Sequence, residues 1–117
     1  MQNIRVKRSG RPDLVFTGVK LAEVDERRVS TVADHWWEVS LFKTCVGKYL
    51  LASSHRSRTG NCRRVVLSFP AAWDLVDFLQ ENVLAPWISE EILAQGMDLD
   101  EDVFQAGSVV LHHRIAC

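Results

Sequence analysis

The sequence predicts an α+β fold in a single domain, with a mainly antiparallel β-sheet of about five strands and two or three C-terminal helices packed on it. Residues 1–69 alternate apolar and polar positions between turn signals, whereas residues 70–117 change to helical spacing. No linker or internal repeat divides the 117 residues. With 47% hydrophobic and 25% charged residues the composition is globular, which excludes a disordered or collagen-like chain.

Five strands are expected in the first half of the chain. Residues 4–7 and 14–24 should form a hairpin around the turn at 9–13, with Gly18 as a bulge or bend. Residues 35–45 and 48–56 should form a second hairpin, and residues 62–69 a fifth strand.

The second hairpin fixes which side chains share a face of the sheet. If Val46 and Gly47 form a two-residue turn, Leu41 lies opposite Ala52 and Trp37 lies opposite Arg56. One face then carries Trp36, Phe42, Tyr49, Leu51, Val65, Leu67 and Phe69, and the other carries Trp37, Val39, Leu41, Leu50, Ala52 and Val66. Since both faces are apolar, we expect both to be at least partly covered.

The second half predicts helices. Residues 71–82 place Trp73, Val76 and Leu79 on one apolar stripe. Ser89 is expected to cap a second helix that stops at Gly96. After the acidic run 98–102, a short helix to residue 106 and a last strand over residues 109–115 are expected.

The net charge of −1 is unevenly distributed along the chain. Residues 1–67 carry thirteen Lys/Arg and six Asp/Glu, a net of +7, while residues 68–117 carry one Arg and nine Asp/Glu, a net of −8. This split allows a basic surface for an anion such as nucleic acid. We favour instead two halves that attract each other within one fold, or two separate solvated faces.

The residues that could bind calcium or zinc do not have the spacing that those sites require. Asp98, Asp100 and Asp102 match the first positions of a calcium loop, but Val103 stands where the turn needs Gly and Val109 where a bidentate Glu is needed. We therefore interpret the acidic run as a solvated connector rich in helix caps. The pairs His112-His113 with Cys117, and His55 with Cys62, lack the ligand spacing of structural zinc, so we predict no metal and no cofactor.

The setting of the protein is expected to be cytoplasmic. The residues after Met1 contain no apolar stretch typical of a secretory signal, and no apolar run is long enough to span a membrane. Three cysteines without a CxxC pair fit reduced thiols.

A catalytic interpretation would use Glu38, His55 and Arg63, which lie side by side in the predicted register. A cross-strand ion cluster is the favoured explanation of such a row, and the chain has no phosphate-binding or nucleophile-elbow motif. We therefore expect a non-enzymatic protein.

Two binding interpretations remain open, with a protein partner or self-association ahead of nucleic acid. The apolar residues Val39, Leu41, Leu50, Ala52 and Val66 are the candidate interface, unless Trp87, Ile88, Ile92 and Leu93 cover them within the same chain. The candidate nucleic-acid residues are Trp37 for base stacking and Arg56, Arg58, Arg63 and Arg64 for phosphate contacts.

Residues 14–59 carry a recognisable pattern. It reads Phe16-x-Gly18-x-x-Leu21-Ala22-Glu23, then Trp37-Glu38-x-x-Leu41-Phe42-Lys43-Thr44-x-x-Gly47-x-Tyr49-Leu50, then Arg56-Ser57. This pattern resembles a set of small bacterial proteins of unknown function associated with plasmids and mobile elements, from which the chain departs at Cys45 and at Ser54-His55. The resemblance implies a bacterial cytosolic origin and supports the predicted register of the second hairpin, but it implies no activity and no ligand.

Overall fold

A computed structural model describes residues 1–28, 34–81 and 83–116, of which residues 109–116 are described by their backbone alone. The strands are β1 (Gln2–Arg8), β2 (Arg11–Asp25), β3 (His35–Thr44), β4 (Tyr49–Ser57) and β5 (Cys62–Phe69). A short 3₁₀ turn (Glu26–Arg28) follows β2, and the helices are α1 (Ala72–Gln80), α2 (Pro86–Leu99) and α3 (Glu101–Ala116). The α+β prediction is confirmed.

The five strands form one antiparallel meander in the order β1-β2-β3-β4-β5. The long strand β2 serves two partners, because residues 11–18 pair with β1 and residues 18–25 pair with β3. Its bulge lies between Lys20 and Ala22, further along than the predicted position at Gly18. Gly18 serves close packing instead, since a Cβ there would overlap the carbonyl oxygen of Lys43.

The N-terminal hairpin folds over one face of the sheet. The Phe16 ring packs edge-on against Phe42, with 5.5 Å between the ring centroids. At the tip of the hairpin, the Ser9 amide donates a 3.0 Å hydrogen bond to the carbonyl of Arg64, and the Arg64 amide donates to the Ser9 hydroxyl at 2.8 Å. We call the covered face the hairpin-side face; its inward residues on the hairpin are Ile4, Val6, Leu14 and Phe16.

The helices cover the opposite face, which we call the helix-side face, and the main core lies between them. Leu41, Tyr49 and Leu51 from the sheet are at most 2% exposed. The helices contribute the buried side chains Leu75, Val76, Ile88, Ile92 and Val103. Each such residue contributes about 1.5–3 kcal/mol by leaving water. The prediction that both faces are covered is confirmed.

The predicted register between β3 and β4 is wrong by one residue. Leu41 lies opposite Leu51 rather than Ala52, and Trp37 lies opposite His55 rather than Arg56. A two-residue turn would require a positive φ at Val46, which a β-branched residue strongly disfavours. The turn therefore has three residues, Cys45 to Gly47, closed by a hydrogen bond from the Thr44 amide to the Lys48 carbonyl at 2.8 Å, with φ = 87° at Gly47. A one-residue slip moves every side chain of a strand to the opposite face.

Helices α1 and α2 exist as expected, with corrected faces and ends. In α1 the buried stripe includes Leu75 and Val76, whereas Trp73 is 51% exposed. Helix α2 starts at Pro86, which suits the first helical turn because its missing amide hydrogen would be unpaired there. Ser89 therefore lies inside the helix and does not cap it.

The predicted stop at Gly96 and the predicted strand over residues 109–115 are both wrong. Helix α2 runs through Gly96, whose missing side chain lets the helix approach Leu41 and Val103. Helix α3 continues to Ala116 without a break, because each added residue gains a backbone hydrogen bond once the first turn is formed. Asp100 separates the two helices and accepts a hydrogen bond from the Val103 amide at 3.1 Å, which confirms a cap in the acidic run. The run is not a solvated connector, because its other residues belong to α2 and α3 and Asp100 is buried.

Candidate binding surfaces

The three residues considered for acid–base chemistry do not form a row. Glu38 lies in one row with Ser54 and Arg64, whereas His55 lies opposite Arg63. Residues opposite each other on neighbouring strands share a face, so Glu38 is on the hairpin side and the other two members are on the helix side. The predicted cluster of Glu38, His55 and Arg63 is wrong.

The candidate nucleic-acid residues are likewise divided. Trp37 and Arg63 belong to the helix-side face, while Arg56 and Arg64 belong to the hairpin-side face. Arg58 lies in the β4–β5 turn. The predicted pairing of Trp37 with Arg56 places both on one face, and it is wrong because it used the incorrect register.

The candidate interface residues do not form a shared patch either. Val39 and Leu41 lie on the helix-side face, 1% and 0% exposed, so cover comes from the chain's own helices. Leu50, Ala52 and Val66 lie on the hairpin-side face, where Leu50 is 6% exposed. Neither group presents the exposed surface that a partner needs.

An apolar groove opens on the helix-side face beside α1. Its volume is about 320 Å³. Its walls are Trp37, Leu51, Ser53, Val65, Leu67, Phe78, Val83 and Leu84, with His55 and Arg63 also in the lining. Val65, Leu67 and Val83 are 38%, 36% and 60% exposed, so the groove presents apolar side chains to solvent. Concave apolar surface of this kind is typical of a binding site.

A row of aromatic rings lies on this face where β3 begins and β4 ends. The His35 and His55 rings stack with 5.6 Å between centroids, and the Trp37 ring lies 4.6 Å from His55. The Trp37 amide donates a hydrogen bond to the Glu26 carboxylate at 3.2 Å, which ties β3 to the turn after β2. Arg63 lies opposite His55 and adds a positive charge beside the rings.

Strand β5 is an edge of the sheet, and only part of that edge is closed. The hydrogen bonds with Ser9 show that the backbone groups of Arg64 point away from β4. Because backbone groups alternate in direction, those of Val66 and Ser68 also point outward. Within the described part of the chain they have no hydrogen-bond partner. The edge segment from Val66 to Ser68 is therefore open.

A second cavity, of about 420 Å³, lies on the hairpin-side face between β1 and the inner rows of β2 to β5. One row across four strands reads Asp25, Glu38, Ser54, Arg64. Carboxylates thus stand at the β2–β3 wall and a guanidinium at the β5 wall. We call this cavity the charged pocket.

One ion pair crosses the charged pocket. Arg56 Nε lies 2.6 Å from Glu38 Oε2, although its N–H is not aligned for a hydrogen bond, so the contact is ionic. The Trp36 indole N–H donates to the same carboxylate oxygen at 3.3 Å. The Arg27 guanidinium lies 4.5 Å from the Trp36 ring and packs on its face. These contacts hold Glu38 in place at the β2–β3 wall of the pocket.

A buried polar cluster joins the sheet to the α2–α3 junction. Lys43 Nζ lies 2.7 Å from Asp100 Oδ2, and the Tyr49 hydroxyl donates to Asp100 Oδ1 at 3.0 Å. The hydrogen bond with Asp100 raises the pKa of Lys43. Burial, reinforced by Asp100, raises the pKa of Tyr49 to about 12. Burial alone would raise the pKa of Asp100, but hydrogen bonds from Lys43, the Val103 amide and Tyr49 outweigh it and lower that pKa.

Sequence reasoning missed the groove, the charged pocket and this cluster, because all three depend on the β3–β4 register or on long-range packing. Among the side chains that the structure describes, no three His, Cys, Asp or Glu residues converge on a possible metal site. The side chains of His112, His113 and Cys117 lie outside the described part. No described helix is long and apolar enough to cross a membrane.

Comparison with known proteins identified no matching family model, no similar curated protein and no similar solved structure.

Proposed function

We propose that this chain is a non-enzymatic protein-binding module whose partner is a second copy of itself. The open β5 edge beside an exposed apolar groove carries the proposal. Soluble proteins usually protect edge strands with charge, proline or cover. From Val65 to Phe69 this edge has no charged residue and no proline.

Two β5 strands can pair antiparallel around a two-fold axis at Leu67. Val66 of one copy then exchanges both backbone hydrogen bonds with Ser68 of the other, and Val65 faces Phe69. Leu67 meets its own equivalent in a pair without hydrogen bonds, where side chains come closest. No like charges face each other in this register. The two apolar grooves also come next to each other, so the contact covers Val65 and Leu67 of both copies.

Introducing a charge at Leu67, on the two-fold axis, tests this pairing. Leu67→Asp places two carboxylates opposite each other, and Leu67→Lys places two ammonium groups opposite each other, so each variant alone should be monomeric. An equimolar mixture should restore the dimer, because Asp and Lys then face each other. Sedimentation equilibrium measures the mass in each case. The matched control is Val15→Asp, since Val15 is 58% exposed on the hairpin, away from the groove.

Three results would contradict the proposal. The wild-type protein could remain monomeric at high concentration, Leu67→Asp could leave a dimer intact, or the mixture could fail to restore the dimer. The last result would place the contact elsewhere than at a symmetric Leu67 pair.

A second candidate function is nucleic-acid binding, favoured by the row of His35, Trp37 and His55 beside Arg63. Stacked rings accept unpaired bases, and Arg63 could neutralise a phosphate. In an anisotropy titration with single-stranded oligonucleotides, Arg63→Glu should weaken binding and reduce its salt dependence. Arg64→Glu is the control, because the Arg64 side chain lies on the hairpin-side face, opposite to that of Arg63. Equal effects of the two variants would contradict this candidate.

The cytoplasmic setting is part of the proposal. Cys45 and Cys62 are free thiols, which fits a reducing compartment. A bacterial origin linked to plasmids or mobile elements is also proposed, and rests on the sequence resemblance alone.

A further inference from the structure

The charged pocket has the size and the polar lining of a small-molecule site. Its volume of about 420 Å³ falls within the range of about 300–1,000 Å³ common for ligand pockets. It lies on the hairpin-side face, away from the β5 edge segment and the apolar groove. A function here would be additional to self-association.

Negative charge is concentrated on the β2–β3 wall. Glu23, Asp25 and Glu38 all line the pocket. Two cations outside the lining pair with the first two: Lys20 Nζ is 3.4 Å from Glu23, and Arg28 Nε is 3.9 Å from Asp25, which also accepts a hydrogen bond from the Arg27 amide at 3.0 Å. An ionised carboxylate offers about four acceptor sites, so both carboxylates remain able to accept further hydrogen bonds from a ligand cation.

Positive charge is concentrated on the opposite wall. Arg64 and Arg56 approach from β5 and β4, and Lys7 lines the pocket from β1. Arg56 is engaged by Glu38 at 2.6 Å. Arg64 has no carboxylate within ion-pair distance in the part of the chain that the structure describes, so its guanidinium is available for an anion.

The separation of the two walls selects the length of the ligand. Asp25 and Arg64 stand three strand spacings apart, which is about 14 Å between backbones. The long Arg64 side chain reaches into the pocket and shortens this gap. An extended dipeptide spans about 7 Å and carries an ammonium group at one end and a carboxylate at the other. The hydroxyls of Ser40 and Ser54, which line the floor, can bond the peptide group between them.

We propose that the charged pocket binds a short zwitterionic peptide, with its ammonium group at Asp25 and Glu23 and its carboxylate at Arg64. The order of charges along one cross-strand row is the basis for this orientation. A ligand with only a negative charge would make no contact with the remaining acceptor sites of the acidic wall.

Calorimetric titration with the dipeptide Ala-Ala and its two blocked forms tests the proposal. N-acetylation removes the ammonium charge, and C-amidation removes the carboxylate charge. Each loses a charge-assisted hydrogen bond, so each should bind about tenfold more weakly or worse. The weaker binding of the two blocked forms should persist in the Leu67→Asp variant, because the pocket does not depend on self-association.

Two pocket variants make the test specific. Arg64→Gln should abolish the preference for a free carboxylate and retain the preference for a free ammonium group, and Asp25→Asn should do the reverse. Arg63→Gln is the matched control for Arg64, because it removes the neighbouring guanidinium on the opposite face. Thermal unfolding of each variant confirms that the fold is retained.

Several results would overturn the proposal. Ala-Ala could show no saturable binding in the millimolar range, or both blocked forms could bind as well as the free dipeptide. Inorganic phosphate could compete fully with no dependence on Asp25, which would define a simple anion site. Equal effects of Arg63→Gln and Arg64→Gln would also exclude the pocket.

Discussion

Replacing Asp100 by alanine should destabilise the fold more than any other change in the acidic run. The Asp100 carboxylate accepts the Tyr49 hydroxyl, the Val103 amide and the Lys43 ammonium, with its side chain only 5% exposed. It therefore connects the central sheet to the start of α3. The substitution removes all three contacts together.

The expected cost follows from these contacts. Loss of the helix cap costs about 0.5–2 kcal/mol, and leaving the buried Tyr49 hydroxyl without an acceptor costs about 1–3 kcal/mol. The Lys43 ammonium would not be left without a partner, because its side chain is 25% exposed to water and Asp102 lies 3.5 Å away. The contributions share one carboxylate and are not additive. We expect a loss of about 3–4 kcal/mol, at the low end for a broken buried ion pair.

Urea and thermal unfolding, followed by circular dichroism and tryptophan fluorescence, measure this loss. At about 4 °C per kcal/mol, the melting temperature should fall by about 12–16 °C. Asp100→Asn keeps an acceptor for Tyr49 and Val103, so it should cost about half as much. Asp98→Ala is the matched control, since Asp98 is exposed two residues away. The reasoning is refuted if Asp100→Ala and Asp98→Ala agree within about 1 kcal/mol.

Two further predictions concern the same region. Tyr49 is the only tyrosine, so absorbance near 295 nm should report its pKa directly, with a midpoint about 12 in the folded protein and about 10 in urea. A pKa raised on folding stabilises the fold below pH 10, so stability should fall as the pH rises from about 10 to 12. A native midpoint near 10 would contradict the buried cluster. Gly18→Ala should cost about 1–3 kcal/mol in urea unfolding, because its Cβ meets the rigid backbone at Lys43. The exposed neighbour Thr17→Ala should change stability by less than about 0.5 kcal/mol, and equal effects would contradict close packing at Gly18.

The strands were predictable because the alternation of apolar and polar residues is local. All five lie where the sequence placed them, and the pairing of His55 with Arg63 across β4 and β5 is confirmed. The β3–β4 register was not predictable from the position of Gly47 alone. It depended on whether Val46 would accept a left-handed conformation, and that single choice moved β4 and β5 to the wrong faces relative to β3.

For the helices too, the local sequence pattern predicts where they lie but not which side is buried. Periodicity located α1, but Trp73 is exposed while Leu75 is buried, because the sheet surface decides which apolar stripe is covered. The sequence predicts a helix stop at Gly96, whereas the structure uses its small size for packing against Leu41. The binding surfaces could not be predicted, because each combines residues from distant parts of the chain whose relation depends on the β3–β4 register.

The charge split along the sequence becomes a split across the sheet. Among the described residues, only Lys43 forms ion pairs between the basic and acidic halves, through Asp100 and Asp102. Direct neutralisation of one half by the other is therefore confined to one cluster. The acidic helices lie on the helix side, whereas Arg56 and Arg64 face the hairpin side. An approaching anion should consequently be directed toward the hairpin side, and this attraction should weaken as salt is added. A zwitterion gains from this field at its carboxylate and from Asp25 at its ammonium group. The overall charge asymmetry and the local order of charges in the pocket thus favour the same orientation of the proposed ligand.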